Sequence, residues 1–201
     1  YPDDPSWGNP ASENGGGGSS SITNAQPRNG NGSLELFGDR TRYFGLGNPY
    51  DVNSYVMDFA DLNSFAFDWM IAGDSASNLH PDYTPALRLH IWDGQERSEL
   101  IWEGAYNGTY GNTSTDTWYT TGSDDNFWQY ISGVGVTPIY NRSLTDWQSI
   151  YSSDAHIAAI SVGVGSSAGG DYHAFADNVL LAGGQIEEVF NFETRPSADV
   201  P

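Results

Sequence analysis

The chain has 201 residues with seven arginines, no lysine, 26 acidic side chains, no cysteine and a formal net charge of −19. That charge argues against nucleic acid as a partner, and the missing cysteine excludes disulfides, thiolate nucleophiles and cysteine metal sites. No apolar run approaches the roughly 18 residues of a membrane-spanning helix, so no membrane insertion is expected.

Residues 1–21 are rich in Pro, Asp, Asn, Gly and Ser, and Gly15 to Gly18 form an unbroken run. Read alone this is a flexible arm, because glycine forfeits much backbone entropy when ordered. Tyr1 and Trp7 are its candidate anchors for assembly. The chain starts with Tyr1 instead of an initiator Met, which predicts a processed start.

Beyond the arm, short β-branched or aromatic stretches alternate with polar residues between Gly, Asn and Asp turns, and strands are expected at 33–37, 55–59, 64–72, 86–92, 99–103, 117–121, 127–131, 157–164, 172–181 and 188–192. In 64–72, Phe65, Phe67, Trp69 and Ile71 share one face, and Ala66, Asp68 and Met70 share the other. In 86–92, Leu87, Leu89 and Ile91 face in, opposite Arg88, His90 and Trp92. Residues 146–152, with Trp147, Ile150 and Tyr151 at helical spacing, read as one short helical turn.

Some ten antiparallel strands in this length predict an all-β, two-sheet antiparallel β-sandwich of the jelly-roll type. The expected organisation is an N-terminal arm over 1–21, the sandwich over 22–184, and a C-terminal strand and linker over 185–201. In that last strand Val189, Phe190 and Phe192 are further candidate assembly residues.

Enzymatic constellations are not apparent, and a non-enzymatic protein is expected. His80, His90, His156 and His173 lack metal-ligand spacing. Glu96, Glu99 and Glu103 span a turn and a strand edge and read as a solvated face. No Gly-x-Ser-x-Gly elbow or phosphate-cradling Gly-Lys-Ser/Thr loop occurs.

Aromatic residues make up 14% of the chain, enough to supply ring faces for stacking on the C–H surfaces of sugars. Trp92, Trp102, Tyr106, Tyr110, Trp118 and Trp128 lie near turns or on polar faces and are the candidate carbohydrate platforms. Three loops, 73–83, 106–118 and 122–128, combine aromatic residues with Asp and Asn, a composition suited to glycan or calcium and equally to ordinary turns. The sequons at Asn31, Asn107, Asn112 and Asn141 mark expected exposed turns.

The segment 172–181, which carries Asp177-Asn178-Val179 after an aromatic run, resembles the closing strand of carbohydrate-binding jelly rolls. That resemblance implies a structural Ca2+ site with Asp177 as ligand, completed by oxygens near Gly32, Ser33 and Asp39. Turn formation or a buried hydrogen-bond acceptor is the alternative role for Asp177.

The ending Arg195-Pro196-Ser197-Ala198-Asp199-Val200-Pro201 is similar to the linker before the Val-Pro-Glu-Pro sorting signal of bacterial PEP-CTERM surface proteins. The order of Phe67-Asp68-Trp69, Pro85 to Leu89, Leu100 to Glu103 and Asp116-Thr117-Trp118 also resembles extracellular jelly rolls of that group. The resemblance implies a secreted protein at the surface of a Gram-negative bacterium, associated with exopolysaccharide and biofilm matrix.

Two functions are thereby expected. The first is a structural matrix protein that partners with itself, forming filaments through its terminal arms. The second is a calcium-stabilised, lectin-like module that binds polysaccharide. The arm favours the first, because ordering about twenty such residues costs on the order of 1 kcal/mol or more each and demands extensive contacts.

Overall fold

The structure is a computed structural model that describes Trp7 and residues 13–140 and 142–194. Tyr1, Asn141 and the Val200-Pro201 ending therefore lie outside the described residues. Fourteen strands are present among the described residues: β1 (Glu13–Gly15), β2 (Ser19–Thr23), β3 (Ser33–Phe37), β4 (Arg40–Gly45), β5 (Met57–Asp58), β6 (Leu62–Ile71), β7 (Ala86–Asp93), β8 (Glu96–Trp102), β9 (Tyr119–Thr120), β10 (Trp128–Ile131), β11 (Gly135–Val136), β12 (His156–Val164), β13 (His173–Gly183) and β14 (Ile186–Phe190). A short α-helix, α1 (Leu144–Gln148), interrupts them, held at its start by a reciprocal capping pair between Ser143 and Asp146.

The strands form the expected two-sheet antiparallel sandwich. One sheet has eight strands in the order β1-β4-β12-β7-β8-β10-β11 with β5 also on β12; the other has six in the order β2-β3-β13-β6-β9 with β14 also on β13. Phe65, Phe67, Trp69 and Ile71 of β6 face the core, as the alternation predicts, where they meet Leu87, Leu89 and Ile91 of β7 together with Leu100 and Trp102 of β8. The opposite face of β6 is not bare either, because Met70 packs with Phe175 and Ala72 under Trp118.

Residues 13–23 are part of the sandwich instead of a free arm. β1 pairs with β4 at the edge of the larger sheet, and β2 pairs with β3 at the edge of the smaller. The glycine run is the corner where the chain crosses from one sheet to the other, alongside the parallel crossing between β3 and β4. A Cβ on Gly38, whose φ is +83°, would lie 2.7 Å from the Cα of Gly18. Only glycine lets the two crossings touch there.

Trp7 completes this corner. It bridges to Gly45, stacks on Tyr43 at 5.9 Å and meets Phe190 and Phe192 edge-on at 5.5 and 4.8 Å. Three of the expected assembly residues, Trp7, Phe190 and Phe192, thus pack against one another within the same molecule. Val189 on β14 points away from them and is 59% exposed.

Candidate functional site

The site lies on the outer face of the larger sheet, where residues alternate with those of the core. On β7, Arg88 and His90 point outward between Leu87, Leu89 and Ile91. On β8, Glu99 and Ile101 do so between Ser98, Leu100 and Trp102, and Glu103 follows in the same phase. β4 adds Arg40 and Arg42, and β10 adds Trp128 and Tyr130. Of these outward side chains all but His90 floor a cavity of about 610 Å³, and His90 lies beside it against Glu99.

The walls come from the loops that combine aromatic with polar residues. Leu79 and Tyr83 belong to the first, Tyr106 and Tyr110 to the second, and Trp128 ends the third. The loops brace one another: His80 and Tyr110 stack with centroids 4.0 Å apart, Gly111 N–H donates to Asp82 at 2.5 Å, and the Asn107 amide donates to Glu103 and Asn126 carbonyls at 3.1 Å each. Asn107 is therefore committed to joining two loops, unlike the exposed turn its sequon suggests.

Glu96, Glu99 and Glu103 do not form a solvated face. Glu96 is exposed, but Glu99 is 1% and Glu103 9% exposed, with Arg42, Arg97 and His90 around the first and Tyr83 and Trp128 against the second. The Oε1 of Glu99 accepts from Arg42 Nη1 and Arg97 Nη1, both at 3.2 Å, and lies 3.7 Å from His90 Nδ1. Glu103 accepts from Tyr83 Oη at 3.3 Å and from Trp128 Nε1 at 3.2 Å.

Environment drives these two carboxyls apart. Burial opposes the Glu99 charge, yet the guanidinium groups of Arg42, Arg88 and Arg97 hold the carboxyl below its ordinary range. Burial raises Glu103, with Arg88, Tyr83 and Trp128 only partly opposing it. Burial, opposed by Glu99 and reinforced by Arg42, Arg88 and Arg97, pushes the His90 imidazole down to about 3. His90 is consequently neutral, with Nε2 2.9 Å from Ser161 Oγ. Tyr83 is likewise pushed up by burial and by Glu103.

Arg88 is the most unusual member. It is 3% exposed, burial and Arg42 both lower its pKa, and neither its Nε nor its Nη1 has a hydrogen-bond partner. Glu99 Oε2, on the same floor, and His90 Nδ1 beside it also lack hydrogen-bond partners. Buried charged groups left open in this way cost about 1–3 kcal/mol apiece, more than an ordinary hydrogen bond returns. The alternation in the sequence placed Arg88 and His90 on the outward face correctly, but gave no sign that they would be buried there.

The other aromatic candidates do not meet in the cavity. Trp102 is core, packed edge-on against Phe67 at 5.3 Å with its indole N–H donated to Asp125 at 2.7 Å, so it presents no ring to solvent. Trp92 donates to the Pro49 carbonyl at 3.2 Å beyond the far end of the floor. Trp118 covers Met70 and Phe175 on the other sheet, with Arg28 6.0 Å above its ring.

Asp177 and Asp39 are not brought together. The register that pairs Ala176 with Leu34 and His173 with Phe37 puts them toward opposite ends of β3. Asp177, fully buried, accepts backbone N–H groups from Asn178, Phe192 and Asn29 at 2.8, 3.1 and 3.3 Å. Its carboxylate clasps the loop before β3 and the chain after β14 onto a bulge in β13. Asp39 accepts from Gly169 N–H at 3.2 Å. Among the described residues, no group of three or more His, Asp or Glu is arranged to hold a metal ion.

No protein-family model matches the chain, and neither does any curated protein.

Proposed function

We propose that this chain is a carbohydrate-binding domain whose site is the cavity on the outer face of the larger sheet. The observation that carries the reading is the convergence of Tyr83, Tyr106, Tyr110, Trp128 and Tyr130 with buried polar groups around one cavity of about 610 Å³. That volume suits one or two sugar units, and aromatic walls with a few fixed polar groups are the usual composition of a small-molecule site. The extracellular, matrix-associated setting implied by the sequence resemblance agrees with such a role.

Self-assembly through the arm loses its main argument. The contacts that order residues 13–23 and Trp7 are made with β3, β4 and the chain after β14 of the same molecule. A glycan array tests the proposal: binding to at least one glycan, weakened at least tenfold by Tyr106→Ala or Tyr110→Ala, is expected. No binding to any glycan on the array would overturn it.

A further inference from the structure

We propose that the sugar this cavity accepts is acidic, a uronic acid unit whose carboxylate is received by Arg88. The inference rests on the carbohydrate reading above and adds the chemical class of the ligand. Four of the seven arginines in the chain, Arg40, Arg42, Arg88 and Arg97, are gathered on this one face of a protein whose net charge is −19. Arg42 and Arg97 are both spent on a single oxygen of Glu99. Arg88 is not: its Nε and Nη1 are buried on the cavity floor with no acceptor.

The open groups on this floor are of both kinds. Arg88 offers two donors and requires an acceptor, preferably an anionic one, since charge-assisted bonds to guanidinium are the stronger class. Glu99 Oε2, on the same floor, is an acceptor that requires a donor. A neutral sugar supplies hydroxyl donors for Glu99 but no anion for Arg88. A phosphate ester places two negative charges beside Glu99 and Glu103. A uronic acid supplies one carboxylate and several hydroxyls on a ring of a size to lie between Tyr106, Tyr110 and Trp128.

Calorimetric titration with alginate and polygalacturonate oligosaccharides, with the same oligosaccharides after reduction of their carboxyl groups, and with a sulfated galactan provides the test. Binding of a uronate oligosaccharide that falls at least tenfold on carboxyl reduction, and at least tenfold in Arg88→Gln, is the expected result. Carboxyl reduction changes only the ligand, so the conclusion stands even if Arg88→Gln fails to fold. Equal binding of native and reduced oligosaccharides overturns the acidic assignment and leaves carbohydrate binding intact. Binding of the sulfated galactan alone overturns the carboxylate, and binding of none overturns the acidic assignment, while the glycan array decides carbohydrate binding itself.

Discussion

Arg42 on β4 reaches over β12 and β7 to set its Nη1 3.2 Å from Glu99 Oε1 on β8. This lateral bridge ties the edge beside the N-terminal corner to the floor of the cavity. Removing Glu99 leaves Arg42, Arg97 and the buried Arg88 facing one another. Glu99→Ala is expected to destabilise the fold by about 3 kcal/mol, measured by urea unfolding, because a buried charge group loses its counter-charge. A loss under about 1 kcal/mol would mean that the arginines find water instead.

Acid should weaken the protein through His90. Its folded pKa near 3 lies below the ordinary 6.5, so between those values the unfolded chain binds a proton that the folded chain refuses. The His90 contribution is complete above pH 6.5 and is lost progressively as pH falls toward 3. Glu99, also lowered, acts in the same direction further into acid, whereas the raised Glu103 and Asp177 act against it. One such proton is worth at most about 1.4 kcal/mol per pH unit. His90→Gln should flatten the stability profile between pH 4 and 6.5 by that order, and an unchanged slope would place the proton elsewhere.

Alternation carried the sandwich. Period-two patterning in β6 and β7 identified both the core face and the outward Arg88 and His90, since each strand reads its own two sides. The site was legible only in part. Tyr106, Tyr110 and Trp128 stood out as loop aromatics, yet Trp102 is inward by the same alternation that sends Glu99, Ile101 and Glu103 out. Burial of Glu99 and Glu103 is invisible locally because it depends on partners distant in sequence, Arg42 beside Glu99 and Tyr83 and Trp128 against Glu103. The glycine run reads as flexible until its neighbour across the corner, Gly38, is known.

Asp177→Ala should lower the melting temperature and cost about 3 kcal/mol, since three backbone N–H groups lose a charged acceptor at once. The calcium role implied by the sequence resemblance is separable from this clasp. With amide donors already around the carboxylate, the wild-type melting curve is expected to be the same with EDTA and with added Ca2+. A rise with Ca2+ that Asp177→Ala abolishes would restore the ion.

Trp7→Ala should cost about 3 kcal/mol, the scale of emptying a buried indole site. The protein itself should run as a monomer by size exclusion with light scattering. Oligomers that Trp7→Ala dissolves would instead place Trp7 in the corner of a neighbouring molecule.

The seven tryptophan indole N–H signals can locate a bound sugar, because they sample the core, the cavity and both outer faces. Titrating 15N-labelled protein with neutral and acidic oligosaccharides should shift the Trp128 indole, whose ring lines the cavity. The indoles of Trp69 and Trp147, buried in the core, and of Trp118, on the other sheet, should stay in place. Saturable binding that moves Trp118 or Trp92 and leaves Trp128 unchanged would contradict a carbohydrate site on this face.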